Sequence, residues 1–394
     1  MDHVAITLIT LGGLFIAGLG LDVLARRIRL PRVTLLLVFG VLLGPSAFDL
    51  LPELGETWRP MVTDMALVMV GFLLGGKLTL GTLRESGRLV LWISLGAVVV
   101  TAAIVLVGLL LIGVSLEIAL LLAALATSTA PAATADVVHE ARADGRFTRI
   151  LLGIVAVDDA WGLVVFSLAL AAVGALSGHG GTTEVLLASA REIGGAVLIG
   201  VGLGVPTAYL TGRIEPGEPT LAEALGAVLL CGGIAIWFEV SFLLAAMVLG
   251  TVVANLARHH TRPFHAIEGI EWPFLILFFV LAGAALDLTA LGGIGLPLLA
   301  YVVLRMLGRI LGARWGAAVS GGDRVIRRWM GLALMPQAGV ALGMALVGAQ
   351  RFPEMAEVIL SVTIGATIVF EVAGPIATRR ALLHAKEVPA AADG

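Results

Sequence analysis

Ala126-Thr127-Ser128-Thr129-Ala130-Pro131-Ala132-Ala133-Thr134 interrupts one long aliphatic stretch of this chain, and Leu334-Met335-Pro336-Gln337-Ala338-Gly339-Val340 interrupts another. A proline inside a helix removes one backbone donor and frees a carbonyl a turn earlier. In hydrocarbon an unsatisfied backbone group is expensive, so such interruptions persist where they line a cavity or meet one another. One alone reads equally well as a proline kink healed by a Ser or Thr hydroxyl. Two of them, an odd number of spans apart, cross a bilayer in opposite directions. That is the pattern of inverted-topology repeats whose broken helices face each other around an ion site at the midplane.

The composition demands a bilayer. Hydrophobic residues make up 59% of the 394 and charged residues 13%, with a mean hydropathy of +1.04, whereas soluble domains are about one quarter charged. About thirteen apolar windows are long enough to span the hydrocarbon, which predicts an all-α, multi-pass integral membrane protein. Almost every arginine falls on one side of these windows, and only Arg59, Arg191 and Arg351 fall on the other. The positive-inside rule then puts the N-terminus outside and the C-terminus in the cytoplasm of a cell (inner) membrane. The first apolar stretch has no cleavage signal and is read as a span. Cys231 is the lone cysteine, so no disulfide framework is expected. There is no basic arm to hold nucleic acid.

Ionisable residues inside the apolar windows are the functional candidates. Asp158 and Asp159 sit side by side in Val155-Ala156-Val157-Asp158-Asp159-Ala160-Trp161. Neighbouring helical residues point about 100° apart, so one can face an ion cavity while the other faces a neighbouring helix. A carboxyl group withdrawn from water, with a like charge beside it, favours its protonated form. A site that holds either a proton or a small hard cation exchanges one for the other. Arg305 and Arg309 lie within another span, and Gly308 and Gly312 beside them permit a close helix neighbour. Arg305, the deeper of the two, is the expected partner of Asp158. Glu371, in the last span, is read either as a structural partner of Arg309 or as part of a proton path. The residues after Arg380 form a tail too short to fold.

Taken together, these residues resemble the monovalent cation/proton antiporter superfamily, in particular its bacterial sodium(potassium)/proton branch with paired aspartates. The likeness rests on Thr127-Ser128-Thr129-Ala130-Pro131 followed by Val157-Asp158-Asp159, on Leu304-Arg305 with Gly308, Gly312 and Ala313, and on Gly331 through Leu342. It implies a homodimer, without cofactors, that works in pH homeostasis by elevator-type alternating access. It divides the chain into scaffold and dimerisation helices (1–85), a first core repeat (86–175), linker and scaffold helices (176–288), a second core repeat (289–380) and a cytoplasmic tail (381–394). Asp159 becomes the carrier of Na+ (or K+ or Li+) and of protons, Asp158 the partner of the buried cation Arg305, and Thr127 and Ser128 oxygen ligands. Thr129, Pro131, Gln337, Glu371 and Arg309 are secondary candidates. Two positions depart from the family pattern. Arg305 stands where electrogenic members carry lysine, and Met335-Pro336-Gln337-Ala338-Gly339 lacks a charge pair that many relatives carry.

Other classes fit less well. A passive cation channel would have a filter sequence and no buried arginine to repel cations. An intramembrane aspartyl protease needs carboxyls from two elements about 3 Å apart. An organic-anion symporter on the related inverted-repeat fold would not place paired carboxylates in its cavity.

Overall fold

The computed structural model describes residues 3–28, 32–45, 47–48, 50, 58–177, 182–210, 220–257, 261–284 and 291–388. Among these there are helices and turns and no strand. In chain order the helices are α1 His3–Ile28, α2 Arg32–Leu43, α3 Trp58–Lys77, α4 Leu80–Leu111, α5 Leu116–Leu125, α6 Pro131–Glu140, α7 Arg146–Ser177, α8 Thr182–Leu210, α9 Thr220–Trp237, α10 Phe242–Leu256, α11 Thr261–Ala284, α12 Leu291–Val319, α13 Arg324–Ala333, α14 Gly339–Arg351 and α15 Ala356–Ala385. Eight of them are long and apolar enough to cross a membrane. The pairs α5/α6 and α13/α14 are different. Their members have 10 to 13 residues, and ten residues of helix rise only about 15 Å, half of a hydrocarbon core of about 30 Å. Each pair is one span broken where the sequence carries its proline.

Local chemistry sets these ends. Ser115 caps α5 through a bond from the Ile118 amide, Pro131 occupies the first turn of α6, and Asp323 caps α13 at the Ile326 amide. A side-chain oxygen at these positions takes an amide that has no partner within the helix, and proline has none to lose.

The chain forms two compact units. One comprises residues 1–80 and 167–288, the other 81–166 and 289–394. In the first, α10 packs on α3 and α8, and α11 on α2 and α3. The helices approach through glycines. A Cβ on Gly75 would stand 2.0 Å from the Met247 carbonyl, one on Gly250 2.1 Å from that of Phe72, and one on Gly283 2.2 Å from that of Leu37. Helices in lipid gain nothing from hiding apolar surface from one another, so close backbone packing supplies the adhesion.

The second unit uses the same device around the site. Gly308, Gly312 and Gly316 form a stripe along α12 that lies on α4, and a Cβ on Gly312 would stand 2.3 Å from the Gly96 carbonyl oxygen. Gly312→Val is therefore expected to cost about 1–3 kcal/mol through forced backbone separation, read as lowered thermal stability in detergent. Gly226→Val on α9, where a Cβ meets nothing within 4 Å, is the control that should leave the melting temperature nearly unchanged.

Residues 381–388 continue from the last span with defined contacts. Helix α15 runs on to Ala385, and residues 389–394 of the expected tail lie outside the described residues. Lys386 turns the backbone with φ 60°, which brings Glu387 onto the start of α7. Its Oε1 accepts from the Phe147 amide at 2.7 Å, and its Oε2 from the Thr148 amide and hydroxyl, both at 2.8 Å. Its carbonyl accepts from the Asp144 amide at 3.2 Å. A carboxylate at a helix N-terminus satisfies orphan amides and complements the helix dipole. Glu387→Ala should cost about 1 kcal/mol, the usual worth of a cap, measurable as a fall in unfolding midpoint.

Candidate functional site

The site begins with the two breaks. Hydrogen bonding in the first continues as far as Ser128, whose amide donates to Leu125 at 3.4 Å; the Ala130 amide then donates across to the carbonyl of Pro336 at 3.0 Å. The two unwound segments thus meet backbone to backbone within the second unit. Helix α15 lies against the second break. A Cβ on Gly374 would stand 2.7 Å from Pro336 Cα, and the Thr378 hydroxyl donates to the Ala333 carbonyl at 3.0 Å.

Breaking two helices leaves carbonyls without partners, and α12 answers with its arginines. Tyr301, Arg305 and Arg309 recur every fourth residue on one face of this helix, and all three are fully buried. Arg305 donates from Nε to the Ala126 carbonyl at 3.2 Å, from Nη1 to Met335 at 2.9 Å and from Nη2 to Ser128 at 2.8 Å. Its guanidinium also stacks 4.2 Å from the Phe370 ring centroid. One rigid fork of donors ties together three carbonyls from both breaks, a task a lysine ammonium could not perform in this geometry. Arg309 donates from Nη1 to Asp158 Oδ2 at 2.6 Å, with both side chains fully buried, and from Nη2 to the Thr127 carbonyl.

This corrects the expected pairing of Arg305 with Asp158. The ion pair belongs to Arg309, and Arg305 is occupied by backbone. The reason is physical: carbonyls freed by the breaks compete for the deeper guanidinium, leaving the arginine one turn further along for the carboxylate. Arg309 is thereby bonded to Asp158 and to the Thr127 carbonyl, and Glu371 is buried on α15. Asp158 also accepts from the Ser94 hydroxyl of α4 at 3.2 Å.

Asp159 is 1% exposed, and its Cα–Cβ bond leaves α7 about 100° round from that of Asp158. Gly162, one turn further along α7 and between the two in angle, lies against the first break. A Cβ on Gly162 would meet Thr127 Oγ1 at 3.4 Å and Ser128 at 3.7 Å. The Thr127 hydroxyl donates to the Ala124 carbonyl at 2.7 Å and the Ser128 hydroxyl to the Leu125 carbonyl at 3.1 Å. With their protons spent on backbone, both oxygens keep lone pairs for a cation. Thr129 and Gln337 are buried in the same breaks, and Pro131 starts α6. Gln337 Nε2 donates to the Leu125 carbonyl and to the Tyr301 hydroxyl, each at 3.0 Å, which links the second break to the first.

The transmembrane region of the sodium/hydrogen exchanger family matches residues 11–383. The chain belongs to that family. Among curated proteins this exchanger is similar to the ammonium/H+ antiporter subunit AmhT of Alkalihalophilus pseudofirmus, 21% identical over 314 residues, 77% of this chain and 76% of that protein. It is also similar to the Na+/H+-K+ antiporter GerN of Bacillus cereus, 22% identical over 331 residues, 82% of this chain and 83% of that protein. Among solved structures, the sodium proton antiporter MjNhaP1 from Methanocaldococcus jannaschii at pH 8 superposes with a TM-score of 0.78 and 18% identity, covering 99% of this chain and 100% of that one. The fold is that of the sodium/proton antiporters, and the curated relatives are transporters in membranes.

Three residues of this exchanger's core escaped the sequence reading: Ser94, Tyr301 and Phe370. Tyr301 carried a signal, since it stands four residues before Arg305 and is one of only two tyrosines in the chain. Ser94 and Phe370 carried none, because a lone serine or phenylalanine in an aliphatic span is unremarkable.

Proposed function

We propose that this exchanger swaps a monovalent cation for protons at Asp159, with Na+ the first candidate and K+ or Li+ the next. The reading is supported by the difference between adjacent carboxylates. Asp158 is committed to Arg309, while Asp159, equally buried, leaves α7 about 100° round from it, one turn before the point where Gly162 of α7 packs on Thr127 and Ser128. A carboxylate held there among hydroxyl and carbonyl oxygens is neutral when protonated and neutral when it holds a monovalent cation, and either form suits a water-poor interior. Competition for one carboxylate couples the two fluxes without further machinery.

Other parts of the proposal follow from this one. The unit holding both breaks and both aspartates serves as the moving core, and the unit of residues 1–80 and 167–288 as the scaffold of an elevator. The chain crosses a cell membrane about thirteen times, counting each broken helix once, with its N-terminus outside and its C-terminus in the cytoplasm, and it works as a homodimer in pH homeostasis. Arginine does not release its proton in proteins, so the protons exchanged are those of carboxylates. The cations named for the relatives, ammonium, Na+ and K+, are all monovalent.

The test is proton flux in proteoliposomes of the purified protein, with Na+, Li+, K+ or ammonium added in turn and the membrane potential clamped or left free. A cation gradient that drives proton movement supports exchange and names the ion, and its voltage dependence gives the stoichiometry. Cation entry without proton movement contradicts it.

A further inference from the structure

Three arginines far from the aspartates share one cavity in the second unit. Arg88, just past the Gly87 kink of α4, and Arg146 and Arg149 in the first turn of α7 line a space of about 510 Å3, with Ser320, just past the end of α12, on its wall. Gly87 takes φ 59° and kinks α4 one residue before Arg88. Among the described side chains these positive charges are poorly compensated. Among the described residues Arg146 alone of the three has an acidic partner, Asp323 at 3.7 Å, and that pair is loose, with side chains 64% and 48% exposed. Arg149 spends Nε on the Gly145 carbonyl at 3.2 Å. The nearby carboxylate of Glu387 is committed to the amides of Phe147 and Thr148. Three guanidiniums gathered around a cavity repel one another unless an anion joins them, and their planar forks match the oxygens of a phosphate.

The surroundings choose the carrier of that phosphate. Trp92, one turn along α4 from Arg88, meets Trp315 of α12 edge to face at 6.3 Å. Trp315 is exposed, as are Leu91, Leu152 and Val319 on the three helices that frame the cavity. Tryptophans of this kind sit at the headgroup level of a bilayer, with apolar neighbours toward the acyl chains. A phosphate with two acyl chains satisfies the arginines and covers this rim, whereas a free phosphate leaves the rim bare. We propose that Arg88, Arg146 and Arg149 form a binding site for the phosphate of an anionic phospholipid headgroup. The bound lipid pins together the start of α7, the helix of Asp158 and Asp159, the kink of α4, and the end of α12, the helix of Arg305 and Arg309. It does so on the arginine-rich side of the membrane.

The test titrates the full-length protein in a neutral detergent with phosphatidylglycerol, with phosphatidylcholine of the same chains, or with inorganic phosphate, following the melting temperature. Phosphatidylglycerol is expected to raise it saturably while the other two leave it unchanged. Arg88→Gln/Arg149→Gln should raise the half-saturating phosphatidylglycerol concentration about tenfold or more. An equal response of wild type and the double variant overturns the site. Protection by inorganic phosphate at matched concentration keeps the phosphate chemistry and overturns the lipid as its source. A readout independent of the variant's folding is photo-crosslinking of wild-type protein with phosphatidylglycerol bearing a headgroup diazirine. Label competed by unlabelled lipid should fall on residues 87–89 and 146–150 and on Ser320, and label spread evenly over other helix ends contradicts the proposal.

Discussion

Asp159→Asn is expected to reduce cation-driven proton movement in proteoliposomes to the level of empty vesicles while leaving the protein folded and membrane-inserted. The amide is close in size to the carboxyl and keeps its hydrogen-bonding edge, so packing around α7 is preserved. It cannot bind and release a proton, and it offers a cation no negative charge. Both halves of the exchange fail together, which distinguishes this substitution from one that merely weakens cation affinity. Asp158→Asn should behave differently, because that side chain is bound to Arg309 and Ser94. Transport is expected to persist with lowered stability or a displaced pH profile. Normal exchange by Asp159→Asn would remove Asp159 as carrier, and loss of all exchange in a well-folded Asp158→Asn protein would mean that the two roles had been assigned the wrong way round.

The largest effect on stability is expected at Arg309. Arg309→Met removes the guanidinium that bridges Asp158 and the Thr127 carbonyl, leaving a buried carboxylate and a buried carbonyl without that donor. Removing one partner of a buried ion pair costs about 3–5 kcal/mol, because the remaining charge stays desolvated. Asp158→Asn on top of Arg309→Met should recover part of this loss, with a coupling of about 0.5–3 kcal/mol, read from unfolding in detergent. Arg309→Lys should fall between, since an ammonium is a point donor without the fork that reaches both acceptors. Arg305→Met is predicted to show no coupling with Asp158→Asn, because Arg305 donates to the carbonyls of Ala126, Ser128 and Met335. Strong coupling between Asp158 and Arg305, with none to Arg309, would contradict the arrangement.

Much of this core was legible because helices in lipid have so few ways to tolerate polar chemistry. Pro131 and Pro336 in apolar stretches announced breaks, and breaks in hydrocarbon must find partners. The Ala130 amide and the Pro336 carbonyl do so in each other. Adjacent aspartates on one helix leave it about 100° apart, and the structure gives Asp158 its partner in Arg309. The choice between Arg305 and Arg309 was not legible. They share one face of α12, separated by one turn or about 6 Å along the axis, and the depth at which α12 is set against α7 leaves no trace in periodicity. The competition from freed carbonyls was equally hidden, since a sequence shows which backbone groups are released and not which donor reaches them. Glu387 on the Phe147 and Thr148 amides joins residues some 240 apart in sequence, a pairing no local pattern encodes. The glycine stripe Gly308–Gly312 did foretell a close neighbour, and only the structure names it as α4.

The central claim is that one carboxylate holds either a proton or a cation. It is tested most directly by counting protons released when Na+, Li+ or K+ is added to purified protein in weakly buffered detergent solution. The wild type should release protons in saturable fashion with the transported ion, Asp158→Asn should still do so, and Asp159→Asn should release none. Cation binding by the wild type without proton release, or release undiminished in Asp159→Asn, would contradict the account.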